Sequence, residues 1–325
     1  MRNIPFFSIL IITVFLLSVN ISAHSQDNVQ ENSEYGFSMG ILSGVVYGQA
    51  VELVYPSNTK GKYLSELLWD MKPVFYMGLQ ADFNRVNLMS KPGFFASASF
   101  KVGFPGDTGK MEDRDWQSTV NDALTNFSSH TNKTREFFWA DLLIGASLPV
   151  KSYFYIKPFL SVSRMHFAFT GRDGYKKYAR TNGSEYFPIG DNPDYAEFEG
   201  DVIRYKQDWI LAAAGFSAGT NFLSPFSFEL FFQISPLTYC VAKDDHLHSS
   251  KKITFNDFTL WGLFIEPKVR IGYTLKNMDF SIEGLYRYIG DTKGPSYVNA
   301  NIYQSGEAGA ALSVYDIRLI IKFIF

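Results

Sequence analysis

From Tyr315 to the end of the chain, hydrophobic and polar residues alternate nearly one for one. Tyr315, Ile317, Leu319, Ile321, Phe323 and Phe325 share one face, and Asp316, Arg318 and Lys322 share the other. Side chains change sides at every residue in a strand, so the pattern predicts one. It recurs upstream. Phe280, Ile282, Gly284, Tyr286 and Tyr288 oppose Ser281, Glu283 and Arg287. Trp261, Leu263, Ile265, Val269, Ile271 and Tyr273 oppose Glu266, Lys268 and Arg270, while Phe228, Leu230, Phe232 and Ile234 oppose Glu229 and Gln233. A water-soluble sandwich would show the same alternation. The terminal Phe325 on an apolar face favours a bacterial outer-membrane barrel, whose chains typically end this way. In a barrel the apolar faces meet lipid and the charged faces line the lumen.

About ten strands are predicted, with approximate spans 34–55, 64–84, 94–104, 135–148, 155–175, 202–223, 227–244, 251–275, 279–289 and 307–325. The expected fold is all-β, a transmembrane antiparallel up-and-down barrel. The connections alternate in length. Those at 151–152, 223–225 and 275–278 are tight; those at 105–134, 176–201 and 290–306 are long and polar. Short turns on one side and long loops on the other are the pattern of such barrels. No internal repeat or linker divides the chain.

Composition adds to this picture. Aromatic residues make up 17% of the chain, as interfacial girdles require. Arg2 precedes the apolar run Ile4–Val19, and small residues follow at Ser22, Ala23 and Ser25. Residues 1–25 therefore read as a signal peptide, cleaved after Ala23 or Ser25, and 26–325 as a single barrel domain with extended outer loops. A net charge of −2 gives no case for nucleic acid. The single Cys240 excludes an internal disulfide framework.

Two polar stretches carry candidate chemistry. Ala242–Phe255 contains Asp244 and His246, and Gly109–Trp116 contains Asp113 and Asp115. Both follow odd-numbered strands, so both emerge on one side of the barrel and can meet. An imidazole is the usual general base near neutral pH, and a carboxylate two residues away on an extended backbone can orient it. No Ser or Cys stands beside the pair as an evident nucleophile, so water is the better candidate. Two close carboxylates raise each other's proton affinity, so one can hold a proton and donate it. Taken alone, D-x-H and D-x-D are weak signals, and solvated loop residues explain them as well. Asp244, Asp245, His246 and His248 also allow a metal reading, but four such residues within five positions cannot all converge.

The chain resembles the omptins, ten-stranded outer-membrane proteases. The resemblance runs from about Ser38 to Phe325. Its main carriers are G-K-M-E-D-R-D-W at 109–116 and D-D-H followed by K-K-I-T-F at 244–255. S-M-G-I-L-S-G at 38–44, L-S-E-L-L-W-D at 64–70, Y-K-Q at 205–207 and I-E-G at 282–284 add to it. It implies catalysis by Asp113, Asp115, Asp244 and His246, with water held between histidine and aspartates. It implies peptide or protein substrates, often cut between basic residues, and substrate contacts at Glu52 and Ile203. No metal or other cofactor is expected, and the protein is expected to be a monomer in outer-membrane lipid with its active site outside. Three departures stand out. Ala242 replaces a second acidic residue, which weakens the expected Arg/Lys preference. About four extra residues precede Glu52. Family members bind lipopolysaccharide through outward basic residues; Arg164 matches one such position, but Asp208 stands where another Arg is expected, so lipopolysaccharide as an activator is in question. A non-enzymatic barrel, an adhesin or structural protein, is the alternative.

Overall fold

A computed structural model describes residues 35–56, 62–85, 91–151, 153–182, 185–190, 193–220, 224–248, 252–299 and 304–325. The expected signal peptide lies outside these residues. Among the described residues there are sixteen strands: β1 (Tyr35–Tyr55), β2 (Ser65–Arg85), β3 (Gly93–Gly103), β4 (Gly106–Asp115), β5 (Asn126–Lys151), β6 (Phe154–Tyr178), β7 (Thr181–Asn182) and β8 (Glu185–Tyr186). Then come β9 (Asp194–Thr220), β10 (Phe226–Ser235), β11 (Thr238–His246), β12 (Ile253–Leu260), β13 (Phe264–Leu275), β14 (Met278–Ile289), β15 (Gly294–Val298) and β16 (Gln304–Ile324). β7 and β8 form a separate small hairpin. The rest make ten antiparallel staves, because β3–β4, β10–β11, β12–β13 and β14–β15 each continue one another. β1 pairs with both β2 and β16, which closes the ring.

The sequence reading needs one correction. Much of 105–134, 176–201 and 290–306, expected as loop, is strand: β4, the start of β5, the end of β6, the start of β9, and β15. The staves run on beyond the apolar belt, where both faces of the wall meet polar surroundings. A strand wetted on both sides loses its hydrophobic alternation and reads as loop. Asn126, Ser128, His130, Asn132 and Thr134 are an inward polar stripe of this kind, all buried. Asp113, Asp115, Asp244 and His246 accordingly sit on strands.

Phe75, Leu79, Leu160, Ile210, Ile271 and Ile317 are among the large apolar side chains exposed on the outside. They belong to a belt at the tight-turn end, where aliphatic exposure fits lipid. Inside this belt the lumen is charged and paired. Lys101 meets Asp316 at 2.7 Å, Lys322 meets Asp82 at 2.8 Å, and Arg318 pairs with Glu283. Arg287 bridges Glu266 at 2.5 Å and Asp141 at 3.2 Å. Above them lies an aromatic floor. The fully buried Trp69 stacks between Phe169 (5.7 Å) and Tyr205 (5.3 Å). Over that floor the extended staves enclose an open cleft of about 950 Å³.

Candidate active site

Each of the six sequence-predicted residues lines this cleft: Glu52, Asp113, Asp115, Ile203, Asp244 and His246. Asp113 and Asp115 come from β4. Gly109, at an irregularity between Asp107 and Lys110 of that strand, has φ +107°, a conformation only glycine adopts freely. A Cβ there would lie 2.6 Å from the Asp70 carboxylate, which accepts the Lys110 backbone N–H at 3.0 Å. From this point the alternation turns Asp113 and Asp115 to the cleft, while Glu112 and Arg114 pair with each other at 2.7 Å. Ser65 donates to Asp113 at 3.1 Å, and Asn126 donates to Asp115 at 3.2 Å.

Asp244 and His246 are on β11, paired in register with Tyr205 and Ile203 of β9. Ile203 therefore stands directly beside the imidazole. Nε2 of His246 lies 2.5 Å from Oδ2 of the buried Asp244. Nε2–H must donate, so Nδ1 remains for a proton from another molecule. Asp245 points the other way and is held by Lys243 (2.9 Å) and Thr254 (2.6 Å). His248 sits edge-on to Phe198, with Nε2 3.3 Å from the Glu199 carbonyl. The four Asp and His residues of 244–248 thus do not converge.

All these groups stand above the apolar belt, and their proton affinities are displaced. Desolvation pushes Asp113 up to about 8, and the charge of Asp115 adds to it. Asp115 and Asp244 are also raised, chiefly by burial. Burial alone would lower His246. Its bond to Asp244, and the charges of Asp244, Asp113 and Asp115, outweigh this and raise it. The Asp244–His246 pair and the Asp113–Asp115 pair line one cleft. Glu52, 3% exposed, is raised well above a normal carboxyl by burial and then by Asp244, Asp257 and Asp113, and its Oε2 has no hydrogen-bond partner.

Three further cleft residues escaped the sequence reading. Asp257 of β12 is 2% exposed, with Oδ1 unpartnered; burial pushes it up to about 6. Ser128 and His130 of β5 are buried in the wall. Asp173 (φ 52°) and Gly174 (φ 98°) form a bulge that brings the Asp173 carbonyl within 2.6 Å of His130 Nδ1. That contact fixes Nδ1–H as donor and leaves Nε2 to accept from Ser128 at 3.0 Å. Burial lowers the proton affinity of His130, so it is a neutral, fully engaged imidazole. The polar period-two stripe 126–134 was the available signal for Ser128 and His130. For Asp257 no local signal existed, since it depends on strand register.

The family model described as Omptin family matches residues 33–325. The plasminogen activator of Yersinia pestis is 22% identical over 270 residues, which span 82% of this chain and 80% of that protein. The crystal structure of outer membrane protease OmpT from Escherichia coli aligns with a TM-score of 0.77 and 19% identity, covering 91% of this chain and 99% of that one.

Proposed function

The chain belongs to the omptin family, and from that premise we propose that it is an outer-membrane endopeptidase whose cleft opens to the cell exterior. The observation that carries the proposal is the Asp244–His246 pair facing Asp113 and Asp115 within one open cleft. Water held between Nδ1 of His246 and the aspartate pair attacks the peptide carbonyl. His246 takes the water's proton and Asp244 stabilises the resulting imidazolium. The carboxyl that keeps a proton in the aspartate pair hydrogen-bonds the carbonyl oxygen as charge develops there. His246 then returns a proton to the leaving amine. Exposed peptides and proteins are the substrates, with preference for basic side chains because the cleft carries Glu52, which has no Lys or Arg within ion-pair distance among the described residues.

No cofactor enters this scheme, and the protein works as a monomer. Strong activation by lipopolysaccharide is not part of it, because Arg164 already lies 3.9 Å from Asp208 and has less charge to offer a phosphate. The test is incubation of folded protein in detergent with a peptide library. Cleavage that disappears in His246→Ala is expected. Absence of cleavage by the native protein, or undiminished cleavage by His246→Ala, would overturn the proposal.

A further inference from the structure

Ala242 removes an acid from the wall of the cleft, but its cross-strand partner restores one. In the β11–β12 ladder Ala242 is registered directly with Asp257. Directly paired residues of an antiparallel ladder point to the same face, with Cβ atoms about 5 Å apart. Both side chains are buried, at 1% and 2% exposure. Asp257 is registered in turn with Ser296 of β15, whose hydroxyl hydrogen-bonds it. On the far side, Glu52 is registered with Ala310 of β16. Ala308 of the same strand is buried and lines the cleft with a small side chain. Glu52 and Asp257 both line the same cleft.

We propose that Asp257 is a specificity-determining residue: with Glu52 it brackets the cationic side chain of the substrate residue before the scissile bond, in place of an acid at position 242. This rests on the endopeptidase reading above. Glu52 Oε2 and Asp257 Oδ1 are both buried without a partner, and neither acid has a Lys or Arg within ion-pair distance among the described residues. Buried acceptors left open are expected to meet a donor that arrives with a ligand. A guanidinium offers five N–H groups in a plane and can serve two carboxylates at once; an ammonium offers three from a single point. Arginine is thus favoured over lysine. The preference for basic residues is strong, and the absence of an acid at 242 does not weaken it.

The test uses matched peptides with Arg, Lys or citrulline before the scissile bond, citrulline being the uncharged near-isostere of Arg. The Arg-to-citrulline ratio in kcat/KM should fall at least about tenfold in Asp257→Ala. Ala242→Asp placed in the Asp257→Ala background should restore most of it. Ala242→Asp alone should not raise the ratio, since it adds a third acid to a filled pair. An unchanged ratio in Asp257→Ala overturns the proposal, as does a gain from Ala242→Asp alone matching its gain in the double variant. Peptide binding to the His246→Ala protein, read by fluorescence anisotropy, keeps the test independent of the chemistry. If native protein cuts nothing, yet Arg peptide binds more tightly than citrulline peptide and Asp257→Ala removes the difference, the pocket stands and the endopeptidase reading fails. Equal binding of the two peptides overturns the pocket. Heat-modifiable migration in gels confirms that each variant barrel is folded, and Asp257→Asn, closest in shape, should lower the ratio in the same direction.

Discussion

Asp316 and Asp257 are both buried carboxylates inside one barrel, yet Asp316 meets Lys101 at 2.7 Å while Asp257 meets no lysine or arginine among the described residues. The contrast is general to the two regions. In the lumen behind the apolar belt, Asp82, Asp141, Glu266, Glu283 and Asp316 each have a cationic partner. In the cleft, Glu52, Asp113, Asp115 and Asp257 have no Lys or Arg within ion-pair distance among the described residues, and Asp244 has an imidazole. The same fold and wall serve both, so burial alone does not explain the difference. A buried ion is tolerable when its charge is matched close by. The lower lumen meets that condition from its own sequence, which makes it a plug. The cleft leaves it unmet, so its acids remain available to water, protons and a cationic ligand.

The strongest test of this division breaks a pair in the lower region. Arg287→Met leaves Glu266 and Asp141 without their shared guanidinium. Removing one partner of a buried pair costs about 3–5 kcal/mol, read as a shift in urea unfolding of protein inserted in lipid vesicles. Cleavage per folded molecule should be nearly unchanged. A stability loss under ~1 kcal/mol would show that the lower charges are not a structural network.

In the cleft the balance should invert. His246→Ala removes the proposed base and should lower kcat/KM by a factor of ~10² or more, about 2.7 kcal/mol in the barrier. Its unfolding midpoint should fall less than that of Arg287→Met, since burial already raises the proton affinity of Asp244 and a proton can replace the lost imidazole. Asp245→Ala and His248→Ala should affect rate far less, because their side chains are engaged away from the dyad. A His246→Ala protein that unfolds readily but cuts normally while folded would erase the distinction between the regions.

These two regions were unequally legible in the sequence. The belt was readable because lipid outside and charge inside enforce strict alternation, as in Tyr315–Phe325. Ten staves and closure followed from the same pattern. The extension of β4, β5, β6, β9 and β15 beyond the belt was not readable, since polar residues occupy both faces there. Asp113, Asp115, Asp244 and His246 could be picked out as paired i, i+2 motifs. Asp257 could not, because its meaning lies in its registration with Ala242, fifteen residues earlier, and in its approach to Glu52 across the lumen.

A pH profile sharpens the comparison further. The proposed mechanism needs neutral His246, and its proton affinity is raised, so rate should fall tenfold per unit on the acid side of that titration. The aspartate pair needs one proton, and Asp113 is pushed up to about 8, so rate should also fall above about pH 8. A bell is expected. Asp244→Asn should move the acid limb to lower pH, because His246 then loses the carboxylate that raises it. A limb that stays in place would detach it from His246.

The smallest expected effect concerns stability and has the opposite sign to that of Arg287→Met. Asp257 binds its proton with an affinity near pH 6 in the folded barrel, against an ordinary value of 3.8. Between these values the folded state holds more protons than the unfolded state, so stability falls as pH rises, and the loss is complete above about pH 6. A displacement of that size corresponds to at most ~3 kcal/mol. Water entering the open cleft screens the charge, so roughly 1 kcal/mol is a better expectation for the measured effect. Asp257→Asn should therefore unfold at higher urea than the native protein at pH 8, and the advantage should vanish near pH 4. An Arg-containing peptide that binds without being cut should stabilise the native protein more than Asp257→Asn, since only the native cleft has both acids to offer it. If Asp257→Asn is less stable at pH 8, the carboxylate is compensated within the protein after all, and the two regions differ in degree instead of in kind.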